Sequence, residues 1–350
     1  MRRVVVMGGI AVWLAGCGRP VGPLFDPAQG GPVWPEPPAE ARIRYVGELR
    51  TSADLKAPPK PFEQLGDLLA GKRAAESMYG PRDVVCTPDG RYLWVADPGG
   101  RCVHWFDLAA REYQRITRAG DAPLLTPVGL ALGPDGGVYV CDSEEPAIHR
   151  FAADTGRWIE SPRLPDEVRR PVGMVFDEVH GELFVVDASA HQVIVLSRDG
   201  SLVRTIGDRG SGPGKFNYPS AIAPDGEGLW IADSGNQRVQ RVTRDGTPIL
   251  SIGQAGDAPG DLALPKGVAC DRDGNVYVVD GRFENVQVFD REGRLLLVFG
   301  EEGTGPGAFW LPGGVFIDGQ DRIWICDAYN GRVQVFQRVG IGAADDGIGP

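Results

Sequence analysis

The sequence has few of the residues on which common enzyme and membrane functions depend. In 350 residues it has four histidines, no Cys-x-x-Cys and no Gly-x-Ser-x-Gly. No apolar run approaches the roughly 20 residues that cross a bilayer as a helix. No cluster of lysine and arginine is present either, although a nucleic-acid backbone is bound through concentrated positive charge. These absences exclude a dithiol redox pair, a covalently attached c-type haem and a nucleophile elbow, and they predict that nucleic acid is not a partner.

Acidic residues are in excess. Asp and Glu number 47 against 36 Lys and Arg, which gives a net charge of −11. Loss of a leader containing Arg2 and Arg3 would take the net charge to about −13. Such a surface favours solubility or a cationic partner.

The N-terminus has the pattern of a cleaved export signal. Arg2 and Arg3 precede an apolar stretch that is too short to span a bilayer, and Leu14-Ala-Gly-Cys17 follows. This tetrapeptide resembles the lipobox of bacterial lipoproteins. The resemblance implies a signal peptide over residues 1–16, a lipid on Cys17 that anchors the chain in the bacterial cell envelope, and, from Gly18, sorting to the outer membrane. An ordinary secretory signal with a chance cysteine is the alternative.

Residues 17–41 have the composition of an extended tether. Seven prolines and several glycines lie in this stretch, with few apolar residues. Chains of this kind form no packed core and stay extended. The segment would hold a folded domain away from a membrane.

An aspartate that ends an apolar strand recurs six times, at intervals of 45 to 47 residues. Each copy has a proline, a short apolar strand, a turn that is Asp-Gly in most copies, a second strand ending in Asp, a polar loop and an alternating third strand. Strand-only repeats of 40 to 50 residues predict an all-β, six-bladed β-propeller over residues 79–338. The six aspartates are Asp97, Asp142, Asp187, Asp233, Asp280 and Asp327.

The last repeat lacks a fourth strand, because residues 339–350 form a Gly-rich tail that is predicted to be flexible. Residues 42–50 have a short strand pattern outside the repeat series, and we expect them to close the last blade, since an unpaired blade edge is unfavourable. The connector over residues 51–78 contains Phe62, Leu65, Leu68 and Leu69 at helical spacing, which predicts one short helix before the ring.

Blades four and six carry the most specific pattern. Asp233-Ser-Gly-Asn236-Gln-Arg238 and Asp327-Ala-Tyr-Asn330-Gly-Arg332 match each other, as do the Gly-rich loops that precede them. These residues resemble NHL repeats, which implies a six-bladed ring. Blades one to three depart from the pattern, and blade five has Phe283 and Asn285 at the Asn and Arg positions. We interpret the recurring Asp, Asn and Arg as structural, because a set repeated around a ring cannot form one active site.

Five cysteines follow Cys17. They stand mainly at positions where other blades have apolar core residues, and their number is odd. Both facts favour buried free thiols over a disulfide, which remains the alternative. The five are Cys86, Cys102, Cys141, Cys270 and Cys326.

The enzymes among similar propellers need residues that this chain does not supply in the expected places. Zinc lyases of this type need histidines converging on the channel, and none of the four histidines lies on a first strand. Lactonase-like propellers need several carboxylates and amides there, and Asp83 is the one acidic residue of the first strands. We therefore expect no catalytic residue, no metal, no cofactor and a narrow, chemically inert channel. The alternative is a divalent-metal hydrolase or lyase with Asp83 at the channel mouth.

The loops before the first strands and after the second strands share one face of a propeller, and loops carry binding. Aromatic residues and arginines, the types enriched at interface hot spots, concentrate in them. We predict a non-catalytic module that binds or scaffolds a protein partner at the cell envelope; a glycan or peptidoglycan bound through Tyr218, Trp310 and Tyr329 is a further alternative. The predicted binding face consists of Tyr79, Arg82, Arg170, Tyr218, Lys266, Arg282, Phe283, Trp310 and Tyr329.

Overall fold

The computed structural model of the chain describes residues 24–25, 31–55 and 75–339. These residues form six antiparallel sheets, five with four strands and one with five. The first strands contact one another in sequence around a ring, and that of blade six contacts that of blade one. The chain is therefore an all-β, six-bladed propeller, as the period predicted.

In each blade the strands follow one another outwards from the centre. The first strands are Asp83–Cys86, Pro127–Leu132, Pro171–Asp177, Ala221–Pro224, Pro265–Cys270 and Pro312–Ile317. The second strands are Tyr92–Asp97, Gly137–Asp142, Glu182–Asp187, Gly228–Asp233, Val276–Asp280 and Arg322–Asp327. The third strands are Cys102–Asp107, Ala147–Ala152, Gln192–Ser197, Arg238–Thr243, Asn285–Phe289 and Arg332–Arg338. The fourth strands of blades one to five are Glu112–Ile116, Trp158–Glu160, Leu202–Ile206, Pro248–Ile252 and Leu295–Phe299.

The core lies between the blades. Second strands are buried almost throughout, because each is covered on both faces by its neighbours. Six apolar clusters of described residues fill the six interfaces between blades. Trp94, Trp230 and Trp324 occupy equivalent positions on second strands and are almost fully buried. No single blade could bury these side chains alone, so the ring is the unit of stability.

Blade six is completed from the N-terminal side, as the sequence predicted. The strand Ile43–Leu49, called here the closing strand, pairs antiparallel with the third strand of blade six, with Ile43 opposite Arg338 and Leu49 opposite Val333. The short strand Val33–Trp34 pairs with the closing strand and forms the outer edge. Ile43 and Leu49 are almost fully buried.

The remaining elements are short. Ser52–Leu55 and Ser234–Asn236 are 3₁₀ turns. Two small ribbons pair Arg118–Ala119 with Ala122–Pro123 and Glu301–Glu302 with Ala308–Phe309. The predicted helix around residues 62–69, the leader and the tail beyond residue 339 lie outside the described residues. Within the described ranges, no helix combines the length and the apolar character needed to span a membrane.

Candidate functional site

The six repeat aspartates tie each blade to the loop that enters it. All six are at most 2 % exposed. The Asp97 carboxylate accepts hydrogen bonds from the amides of Tyr79 and Gly80, at 2.7 and 3.0 Å. Asp327 accepts the amide of Trp310 at 2.8 Å. These contacts place the entry loops and the second-strand ends on one face of the ring, called here the upper face.

In blades four and six the aspartate has a cationic partner. Arg238 Nε lies 2.9 Å from Asp233 Oδ2, and Arg332 Nε lies 2.6 Å from Asp327 Oδ2. Asn236 and Asn330 also donate to these carboxylates, at 2.8 and 2.9 Å. Asn236 and Asn330 also donate to carbonyl oxygens of the loops that enter their blades, those of Gly210 and Gly303, so the arrangement stabilises a loop.

A buried glutamine completes these networks and was missed from the sequence. Gln240 Oε1 accepts the amide of Gly214 at 3.0 Å, and its Nε2 donates to Asp233 Oδ2 at 3.1 Å. Gln334 makes the same contacts in blade six. Glutamine is the third residue of three third strands, at Gln240, Gln287 and Gln334. The recurrence of a polar residue at a position that faces the core was the sequence signal for this network.

Blade one uses a histidine and a cysteine in place of glutamine and arginine. His104 Nε2 lies 3.0 Å from Asp97 Oδ2, and His104 Nδ1 lies 2.9 Å from the Tyr113 hydroxyl. Asp97, Cys102 and His104 place one donor atom each within 4.8 Å of one another, as metal ligands do. Three backbone amides already occupy the Asp97 carboxylate, however, which is typical of a structural ion pair.

Burial alone would lower the pKa of His104, but the hydrogen bonds to Asp97 and Cys102 raise it to about 9. The imidazole is therefore charged at neutral pH, and both of its nitrogens donate. Because the folded pKa exceeds the ordinary value of 6.5, this pair stabilises the fold fully below pH 6.5 and ceases to do so as the pH rises through 9.

We expect His104→Gln to abolish this pH dependence. Below pH 6.5 the wild type should exceed the variant in unfolding free energy, and the difference should fall by about 3 kcal/mol between pH 6.5 and 9. Urea denaturation across that range measures it. His149→Gln is the matched control, because His149 holds the same position in blade two with a pKa lowered by burial. A difference between wild type and His104→Gln that stays constant with pH would contradict the charged pair.

The first strands surround a central cavity of about 350 Å³. They approach so closely that small residues are needed: a Cβ on Gly267 would lie 2.4 Å from the carbonyl oxygen of Gly313. Asp83 holds the first-strand position that is Gly or Ala in the other five blades. Its carboxylate fits there because Gly314 has no side chain. The Asp83 carboxylate accepts the amides of Val84 and Leu130, at 2.9 and 2.8 Å, and so joins blades one and two. Burial raises the pKa of Asp83 to about 6.

The channel is not chemically inert, which corrects the expectation from the sequence. Arg82 and Lys266, assigned above to the binding face, line the upper end of the cavity and are half-buried. Burial, and then the charge of Arg82, lowers the pKa of Lys266 to about 8. Burial also lowers the pKa of Arg82. The sequence showed both residues next to first strands, but which residues turn towards the axis depends on the twist of the closed ring.

The rest of the predicted face is mostly open to solvent. Tyr79 is 70 % exposed, Tyr329 65 %, Tyr218 52 % and Trp310 49 %. The rings of Trp310 and Tyr329 are 5.8 Å apart in an edge-to-face arrangement. Arg170 and Arg282 are also exposed, and Phe283 is half-buried. Their loops are held to the upper face by the repeat aspartates, which accept the backbone amides of Tyr79, Arg170, Arg282 and Trp310.

The loop after Asp280 in blade five, which departs from the repeat pattern, stabilises the start of blade six. Glu284 adopts a left-handed backbone, with φ of 53°, and its carboxylate accepts the amide of Leu311 at 3.1 Å. His191 does the same in blade three, where its Nδ1 accepts the amide of Tyr218 at 3.0 Å. Both side chains fasten the entry loop of the next blade. The departure of the blade-five loop from the repeat pattern therefore has a structural explanation.

Comparison with known proteins agrees with the fold. The family model described as NHL repeat matches residues 309–336. A structural genomics protein of unknown function from Bacteroides thetaiotaomicron superposes with a TM-score of 0.61 at 17 % identity, over 75 % of this chain and 70 % of that one. Virginiamycin B lyase from Staphylococcus aureus superposes with a TM-score of 0.57 at 15 % identity, over 85 % and 100 %.

A gluconolactonase from Xanthomonas campestris superposes with a TM-score of 0.56 at 19 % identity, over 74 % of this chain and 86 % of that one. At these identities the similarity concerns the fold alone. No protein of curated function matches the chain by sequence.

Proposed function

The chain belongs to the NHL-repeat β-propellers, and from this premise we propose that it is a non-catalytic binding module of the bacterial cell envelope. A lipid on Cys17 would hold it to the membrane, and Gly18 next to the lipidated cysteine favours the outer membrane. The residues that follow Cys17 would act as the tether, which is shorter than the predicted 17–41 because Val33–Trp34 belongs to blade six. The upper face would engage a protein partner.

The distribution of exposed aromatic side chains carries this proposal. Among the described residues, four of the five large aromatics that are more than 40 % exposed lie on the upper face: Tyr79, Tyr218, Trp310 and Tyr329. The fifth, Trp158, is on a fourth strand at the outer rim. Arg170 and Arg282, on loops of the same face, are exposed as well. Exposed aromatics mixed with arginine are typical of protein interfaces. Burying these side chains against a partner would remove their apolar surface from water, which favours binding.

The chemistry of the channel supports binding over metal-dependent catalysis. A divalent cation needs several oxygen ligands, often charged ones. Among the described residues at the upper end of the cavity Asp83 is the one carboxylate, its oxygens accept backbone amides, and Arg82 is near enough to affect its charge. The positive charges of Arg82 and Lys266 at this end would repel a divalent ion.

Site-directed photocrosslinking in intact cells tests the proposal. A photoreactive residue at Tyr329, on the upper face, should give one discrete protease-sensitive adduct. The same residue at Val179, which is 80 % exposed in a hairpin on the opposite face, should give none. With the probe at Tyr329, Trp310→Ala should reduce the adduct at least about fivefold. Trp158→Ala is the matched control, because Trp158 is 44 % exposed, close to the 49 % of Trp310.

Two further experiments test the lipid anchor and the protein nature of the partner separately. Cys17→Ala should move the protein out of the membrane fraction without changing the folded domain, and retention in that fraction would refute the lipid anchor. An adduct removed by a muramidase and not by a protease would replace the protein partner with peptidoglycan. Equal adducts at Tyr329 and Val179 would refute the upper face as the binding surface.

A further inference from the structure

The upper end of the channel holds two cations without a contacting counter-charge. The Arg82 guanidinium and the Lys266 ammonium are half-buried. Neither makes a side-chain hydrogen bond or an ion pair with any other described residue. Asp83 lies near enough to stabilise the charge of Arg82, but its two oxygens accept backbone amides. Unpaired cations in a partly desolvated site are unfavourable, and an anion entering the site would relieve that cost.

Two glycines make room for these cations. A Cβ on Gly313, at the equivalent position of blade six, would lie 3.3 Å from a guanidinium nitrogen of Arg82. A Cβ on Gly281 would lie 2.8 Å from Cδ and 3.0 Å from Cε of Lys266. Side chains at either position would push the cations away from where they now stand. The backbone around the channel mouth is therefore fitted to both of them.

Below the cations the channel wall is mainly apolar, with Glu178 as a charged lining residue just beyond the lower end of its first strand. Half-buried side chains with surface towards this part of the cavity include Leu132, Val175, Phe316 and Ile317. The volume of about 350 Å³ falls within the range of sites that take small molecules. A ligand that fills this space must combine a charged end with an apolar body.

The charges define the ligand further. At the upper end Arg82 and Lys266 carry two positive charges against the single negative charge of Asp83, and Arg170 adds to the positive potential at Arg82, so an added carboxylate would offset an excess of positive charge. A guanidinium fork matches the two oxygens of a carboxylate. We propose that the channel is a binding site for a small amphiphilic monocarboxylate, with its carboxylate between Arg82 and Lys266 and its apolar chain along the wall below. This site is independent of the partner proposed for the upper face.

Calorimetric titration of the full-length chain with octanoate tests the proposal. Octanoate should bind saturably at one site. Octanamide, which has the same chain without the charge, and acetate, which has the charge without the chain, should each bind at least about tenfold more weakly. Inorganic phosphate at matched ionic strength should show no saturable binding. Phosphate binding as tight as octanoate would overturn the proposal, because it would show a general anion site.

Substitutions assign the head-group site. Arg82→Gln and Lys266→Gln should each weaken octanoate binding about tenfold or more. Arg282→Gln is the matched control, because Arg282 is exposed on the same face and does not line the cavity; binding should stay within about twofold. If Arg82→Gln fails to fold, Lys266→Gln decides alone, since its side chain makes no described polar contact. Undiminished octanoate binding in Lys266→Gln, or no binding to the wild type, would overturn the proposal.

Discussion

Arg332→Ala is expected to lower the free energy of unfolding by about 3–5 kcal/mol, because it would leave the buried Asp327 carboxylate without its cation and would leave Glu48 with Arg50 as its remaining partner. Arg332 is 1 % exposed and lies 2.6 Å from Asp327 and 2.6 Å from Glu48 of the closing strand. Its Nη2 also donates to the carbonyl oxygens of Gly305 and Ala308, at 2.8 and 2.7 Å. One side chain thus joins a repeat aspartate, an entry loop and the strand that closes the ring.

Arg238→Ala is the matched comparison for this prediction. Arg238 has the same position in blade four and pairs with Asp233, but its side chain is 15 % exposed and it contacts no closing strand. We expect a loss clearly smaller than that of Arg332→Ala, measured by urea denaturation of both variants. Arg332→Lys should also destabilise, because an ammonium cannot reproduce the guanidinium fork. Equal losses for the two alanine variants would contradict a special role of Arg332 in ring closure.

Removal of the closing strand is expected to have the largest effect of all. A chain starting at residue 51 would leave the third strand of blade six as an exposed edge and uncover the cluster in which Leu49 packs with Trp324 and Val333. Exposed strand edges with apolar flanks favour aggregation. We therefore expect this chain to aggregate, or to unfold at a temperature lower by more than about 10 °C. A chain starting at residue 31, which keeps both N-terminal strands, is the control.

Size-exclusion chromatography and thermal denaturation measure this outcome. A synthetic peptide of residues 42–50 should bind the chain that starts at residue 51 and restore a monodisperse monomer, because strand addition satisfies the open edge. A monomer of unchanged thermal stability in the absence of peptide would show that the closing strand contributes little to the ring.

The closing strand and the third strand of blade six, with which it pairs, illustrate how much of this structure the sequence predicts. The missing fourth strand was visible as a deficit in the last repeat, and residues 42–50 offered a strand pattern to fill it. The pairing register, with Ile43 opposite Arg338, follows from which side chains are buried. The ion pair between Glu48 and Arg332 was not predictable, because the two residues are 284 positions apart.

The site was predicted less completely than the fold. Exposed aromatics on entry loops could be assigned to one face, because loop position fixes that face in any propeller. Arg82 and Lys266 were assigned to the same face, and the structure places them inside the channel mouth. The substitution of His104 for glutamine in blade one changed the charge of a buried network, and no spacing in the sequence indicated that the aspartate would hold it protonated.

The sequence by itself determined the six-fold repeat, the all-β architecture and the strand that closes the ring, because period and strand pattern are local properties that every copy repeats. The tertiary structure alone decided which side chains turn towards the axis, which carboxylates are already satisfied by amides, and which cations stand unpaired. These depend on distances of a few ångströms between blades that are far apart in the chain. Which groups are available to bind a ligand depends on these distances, and the repeat pattern in the sequence does not predict them.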